Sequence, residues 1–205
     1  MSISVIGFAT GPRRHGNSED LLDILFNCLK REKDVNAEKI VLSDYDLNPC
    51  RGCNACEKKG VCVINDDMAG LLEKIKEADI IVFSSPIFCM SICSQAKAFV
   101  DRTQVFRSIK YVLKQEVVPK ERKDKRIGVF LSVAGQNWGY VFDSAIPVMK
   151  CFFHVCDVKD SNIEYLMING VDKKGELKKK DNVESLAEEL SLRITKKMRV
   201  MKGEE

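Results

Sequence analysis

Apolar runs alternate with amphipathic segments along the whole chain, the pattern of parallel strands separated by covering helices. Residues 3–8 form the first apolar run. A Gly/Pro/Arg loop separates it from residues 18–31, where Leu21, Leu22, Leu25, Phe26 and Leu29 share one helical face. A short second strand is expected at 39–42. Asp66 or Asp67 can cap a helix carrying Met68, Leu71, Leu72 and Ile75. Residues 79–83 have the unbroken apolar character of a third strand covered on both faces. A loop over 84–92 and a helix over 94–106 follow, then a charged stretch, 110–126, that reads as a solvated connection. The fourth strand spans 127–133, and a loop over 134–140 leads to a helix ending near Cys156, which Pro147 must start or kink. A weaker fifth strand lies within 162–168 and a polar turn within 170–175. Val183, Leu186, Leu190 and Ile194 form the core-facing stripe of a last helix.

Five strands alternating with five helices predict an α/β fold: a flavodoxin-like, doubly wound, five-stranded parallel sheet in the order 2-1-3-4-5. Residues 1–205 are expected to form a single domain, with a cysteine-rich loop, 48–64, inserted after strand 2. In such sheets ligands bind beyond the carboxyl ends of the strands, near the switch point between strands 1 and 3. The loops after strands 1, 3 and 4 are therefore where a site is expected.

Composition narrows the function. Of the 205 residues, 45% are hydrophobic and 31% charged, the balance of a soluble globular protein. A net charge of +3 is too small to argue for nucleic acid or an anionic membrane. No apolar stretch approaches the roughly 18 to 20 residues that a membrane span needs. The first residues lack the basic and apolar regions of a signal peptide, so a cytoplasmic location is expected. Of the nine cysteines, Cys28, Cys89, Cys93, Cys151 and Cys156 are scattered through apolar or helical segments, the pattern of a reducing compartment; Cys28, Cys151 and Cys156 read as packing residues, as does Cys89 with a redox role as its alternative, and the role of Cys93 is open.

The first loop, residues 10–18, offers Thr10, Arg13, Asn17 and Ser18 at a helix N-terminus, where unpaired N–H groups suit a phosphate. His15 is placed to assist. The loop has neither a Walker Lys-Ser/Thr ending nor a G-x-G-x-x-G spacing, which argues against ATP and dinucleotides and fits a phosphate monoester such as that of FMN. The competing reading is that Asn17 or Ser18 only caps the helix. The second loop carries Pro86, Ile87, Phe88, Cys89 and Met90; apolar side chains at a strand's carboxyl end suit a flat ring such as isoalloxazine. The third, with Ala134, Gly135, Gln136 and Asn137, offers close approach and polar groups for ring or ribityl oxygens.

The remaining four cysteines, Cys50, Cys53, Cys56 and Cys62, follow a C-x2-C-x2-C-x5-C spacing. Packing cannot account for four thiols so close in a polar loop, and thiolates so crowded need a metal centre or disulfides. Zinc sites usually space two C-x2-C pairs a dozen or more residues apart. Three ligands at three-residue spacing with a fourth close behind favour a [4Fe–4S] cluster over structural zinc, and disulfides come last.

At these motifs the chain resembles a known family. Residues 7–18, the cysteine loop 50–62, and residues 86–102, ending in Gln95-Ala96-Lys97-Ala98-Phe99-Val100-Asp101-Arg102, are similar to the iron–sulfur flavoproteins of archaea and anaerobic bacteria. These belong to the NAD(P)H-dependent FMN reductase group of flavodoxin-like proteins. The resemblance implies one FMN and one [4Fe–4S] cluster per subunit, a homodimer or homotetramer, and a ferredoxin-like one-electron donor. Electrons would pass through the cluster to FMN and on to a small-molecule acceptor such as oxygen, peroxide or a quinone, without a catalytic side chain. The chain departs from the family at Gly11, where a serine is usual, and at Phe88, Cys89, Met90 and Cys93, where Tyr, Met, Gly and Pro are usual. Two alternatives remain: an NAD(P)H-dependent FMN or quinone reductase with zinc in the cysteine loop, and a non-enzymatic redox sensor or metal-binding module.

Overall fold

The computed structural model describes residues 2–204. Five parallel strands form the central sheet: β1 (Ile3–Ala9), β2 (Val35–Val41), β3 (Ile80–Phe88), β5 (Ile127–Val133) and β6 (Ile163–Ile168), in the order β2-β1-β3-β5-β6. A two-residue strand, β4 (Ser91–Ile92), folds back antiparallel on the end of β3. The expected fold and strand order are present, with this hairpin as an addition.

Alternation along the strands sorts the core into two layers. Ile3 and Val5 of β1, Ile80 and Val82 of β3, and Val129 and Leu131 of β5 pack under α1 (Asn17–Leu29) and α7 (Val183–Lys202). Their neighbours Ile6, Phe8, Ile81, Phe83 and Phe130 face α3 (Met68–Glu77), α4 (Ser94–Arg102) and α6 (Ala145–Val155). Ring pairs Phe8–Phe99 and Phe83–Phe152, at 4.8 and 5.0 Å between centroids, lie in this second layer. Arg126, fully buried, donates to the carbonyls of Ile75, Ala78 and Cys156 at the ends of α3 and α6.

Three expectations change in detail. β2 begins four residues earlier than expected, because half of this edge strand faces outward and carries Asn36 and Glu38. Pro147 lies in the first turn of α6, where its missing N–H is no loss. The helix expected over 94–106 breaks at Thr103, whose hydroxyl donates to the Val100 carbonyl at 2.6 Å. The chain continues through α5 (Gln104–Arg107) and a π-helical turn (Ser108–Val112), so part of the supposed charged linker is helical. Among the described residues no helix is long and apolar enough to cross a membrane.

Candidate functional site

Because all five long strands run parallel, their carboxyl ends share one rim, and two concavities open there. The first is a cleft of about 590 Å³ between the loops after β1, β3, β5 and β6. Gly11, Pro12, Arg13, Gly16, Asn17 and Ser18 form one wall; Pro86, Ile87 and Phe88 form another; Val133 and Gly135 a third. The turn after β6 closes it with Val171, Asp172 and Lys174.

The first wall has the properties of an anion site. The N–H groups of Asn17 and Ser18 open α1 and find no acceptor in the protein among the described residues. The Ser18 hydroxyl makes no hydrogen bond there either, and a side chain at Gly11 would meet it at 2.8 Å, so glycine keeps that space open. Among the described residues Arg13 and Lys174 line the cleft without an ion pair, whereas Arg14 is held by Asp44 at 3.1 Å. Glu19 braces the loop from below by accepting the His15 N–H at 2.6 Å and the Lys39 ammonium at 3.1 Å. Burial would raise the Glu19 carboxyl, but these bonds and the cations Lys39 and Arg14 hold it below its usual range.

The opposite wall is apolar. Phe88 is 45% exposed at the end of β3 and lines the cleft. Trp138 and Tyr140, stacked at 5.8 Å, are also exposed on the loop after β5.

Several expected residues lie outside the cleft or are engaged by the protein itself. Thr10 is buried behind the cleft and donates to the Ser84 carbonyl at 2.8 Å, so it is a fold contact. Asn17 lines the cleft, but its side chain is spent on the β6 turn: it donates to the Lys173 carbonyl at 2.9 Å and accepts from Gly175 and Leu177. The helix cap is Gly16, with no side-chain bond. His15 is exposed and outside the lining. Cys89 and Met90, both at positive φ, form the β3–β4 hairpin turn and do not line the cleft. Ala134 is buried, bonded through its backbone to Ile168 and Val171, and Gln136 and Asn137 are exposed beyond the lining. Of the scattered cysteines, Cys28 and Cys156 pack as expected and Cys93 is buried too, whereas Cys89 and Cys151 are exposed. His154 pairs with Asp160 at the surface.

The second concavity, about 370 Å³, lies in the loop after β2, and all four clustered cysteines line it. None of the nine cysteines is in a disulfide, and among the described residues no three His, Cys, Asp or Glu side chains converge on a single-ion point. Cys50 and Cys53 are exposed; Cys56 and Cys62 are half-buried against the core. The N–H groups of residues 50–55 find no acceptor within the protein among the described residues, leaving a rim of donors beside the thiols. Gly52 and Asn54 take positive φ, which bends the loop around the hollow.

A buried ion pair clamps the base of this loop. Arg102 bonds both oxygens of Asp66, at 2.6 and 2.9 Å, and donates to the Asn48 carbonyl at 2.6 Å. Asp66 in turn accepts the N–H of Asn48 at 2.9 Å and of Met68 at 3.2 Å. The two ends of the cysteine loop are thus tied to one carboxylate. This clamp was not anticipated; the only sign of it was an acidic residue before α3, read as a helix cap.

The chain matches the NADPH-dependent FMN reductase family over residues 3–163. It is 39% identical to an iron–sulfur flavoprotein of Methanocaldococcus jannaschii over 105 residues, covering 51% of this chain and 54% of that protein. It is 29% identical to an iron–sulfur flavoprotein of Methanosarcina thermophila over 137 residues, covering 67% of this chain and 66% of that one. The chain therefore aligns with between about half and two thirds of these relatives' lengths. Among solved structures, RosB with bound 8-demethyl-8-formylriboflavin-5′-phosphate superposes with a TM-score of 0.72 at 17% identity, covering 98% of this chain and 81% of that one. That likeness is one of fold.

Proposed function

Because the chain belongs to the NADPH-dependent FMN reductase family, we propose that it is an iron–sulfur flavoprotein. It would take single electrons from a ferredoxin-like donor and reduce a small acceptor such as oxygen, peroxide or a quinone. FMN, typical of the family, would occupy the cleft, and Cys50, Cys53, Cys56 and Cys62 would hold a [4Fe–4S] cluster. Bound together, the two groups supply one-electron exchange at the cluster and two-electron chemistry at the flavin. The observation that carries this reading is the pairing of two separate hollows on one rim, one anion-binding and apolar, the other ringed by four thiols.

The residues fit both groups by chemistry. Ser18, Arg13, Lys174 and the α1 N-terminus suit a phosphate, and Pro86, Ile87, Phe88 and Val133 suit a flat ring that excludes water. The six N–H groups of 50–55 suit thiolate and sulfide acceptors. No side-chain acid or base is required. A homodimer or homotetramer is proposed from the family resemblance and from the exposed Phe88, Trp138 and Tyr140 beside the cleft.

Anaerobic purification tests this. Broad absorbance near 400 nm that bleaches with dithionite, with about four irons and about one FMN per chain, is the expected result. Zinc in place of iron would favour a reductase driven by NAD(P)H instead. The two are also separated by donor: flavin reduction that is fast with NADPH and absent with reduced ferredoxin would overturn the cluster-first route.

A further inference from the structure

The cysteine hollow has a second wall that supplies no ligand. It consists of the end of α4, α5 and the π-helical turn, pressed against the loop; a side chain at Gly60 would meet Ile109 at 3.0 Å. From this wall Ser108, fully buried, places its hydroxyl 3.2 Å from the Cys56 sulfur and has no other side-chain hydrogen bond among the described residues. Arg102, 2% exposed, lines the hollow, and its buried Nε has no hydrogen-bond partner although its other nitrogens are bonded. A buried guanidinium N–H without an acceptor is costly, and a structure that keeps one has an acceptor the protein alone does not provide.

We propose that Ser108 and Arg102 are positioning residues for the metal centre: Ser108 donates a hydrogen bond to the Cys56 thiolate, and Arg102 presents its unpartnered Nε–H to the centre from the lining of the hollow. This rests on the cluster reading above. Once Cys56 is a ligand it has no proton, so the hydroxyl must be the donor. An electron added to the centre increases negative charge on its sulfurs, and donors already aimed at those sulfurs stabilise the reduced form. Both residues are buried, so water cannot replace them. The wall therefore raises the reduction potential and lets the centre accept electrons from a weaker donor.

The test is an anaerobic dithionite titration, followed by electron paramagnetic resonance, of wild type, Ser108→Ala and Arg102→Lys, with iron counted in each. Ser108→Ala should keep its iron while its reduction equilibrium falls about tenfold, 59 mV for a one-electron couple. Arg102→Lys keeps the charge but not Nε–H and should shift in the same direction. Full iron with an unchanged potential in Ser108→Ala would overturn the proposal. Should Ser108→Ala lose iron, Ser108→Thr restores the hydroxyl: recovery of iron and potential supports the proposal, and loss in both overturns it. A wild type that binds zinc or no metal overturns the cluster reading itself, a result read from metal content before any potential is measured.

Discussion

Asp66 carries the mechanical load of the cysteine loop: its carboxylate takes two guanidinium nitrogens and two backbone N–H groups. Burial alone would raise this carboxyl, but the Arg102 bond, the N–H groups of Asn48 and Met68, and the Arg102 charge hold it down to about 2. An unfolded Asp titrates at about 4. Since the folded value is the lower one, the stabilisation is complete above pH 4 and disappears as pH falls from about 4 to about 2. Asp66→Asn leaves a buried guanidinium without its counter-charge and should cost about 3–5 kcal/mol at pH 7. Urea unfolding at pH 7 and pH 3 checks this; the gap between variant and wild type should narrow at the lower pH. At the cleft, Arg13→Ala combined with Lys174→Ala should weaken FMN binding by about tenfold to a hundredfold, the loss of about 1.5–3 kcal/mol of charge-assisted bonding, with a shallower salt dependence in a flavin fluorescence titration. Arg13 was legible in the sequence because it follows the first strand, but Lys174 was not, because its turn looked like polar filler. The partners of Thr10 and Asn17 were hidden for a related reason, although Asn17 does line the cleft. A hydroxyl or amide in a loop shows its type in the sequence, while the carbonyl that claims it lies some 74 to 156 residues away.

The elements that the hydrophobic pattern exposes best are those with two buried faces or one clean helical stripe, such as β3, β5, α1 and α3. The β3–β4 hairpin escaped because its turn is Cys89-Met90, at φ 47° and 68°, where Asn-Gly would have announced it. Left-handed backbone costs a non-glycine residue about 1–2 kcal/mol. Met90→Gly should therefore stabilise the protein by up to about 1 kcal/mol, less glycine's greater freedom in the unfolded chain. A rise in thermal midpoint with the FMN content unchanged is the expected outcome; a fall would mean that the Met90 side chain packs where the turn meets Ser144. The helical continuation beyond residue 106 escaped for another reason. Its π-helical turn breaks the 3.6-residue period just where it covers the cysteine loop, so the stripe fades into the charges of 110–126.

On the scale of the whole molecule, the parallel sheet places both hollows on one rim while giving each its own supports. The cleft depends on the loops after β1, β3, β5 and β6; the thiol hollow depends on the loop after β2, the Asp66–Arg102 clamp and the π-helical wall. The two sets of lining residues do not overlap. This division was readable from strand order, since β2 is an edge strand and its loop stands to one side of the switch point. It leads to a test of the architecture as a whole. Cys53 is exposed and outside the core, so Cys53→Ala removes one thiol without opening a cavity or touching the clamp. The variant should lose its iron, keep about one FMN per chain, and unfold at nearly the wild-type urea midpoint when both are compared without metal. Iron analysis, flavin absorbance and the unfolding curve report on the three regions separately. Loss of iron and flavin together, with the midpoint unchanged, would show that the two hollows hold their groups as one site, with the cysteine loop reaching the flavin of its own or a neighbouring subunit.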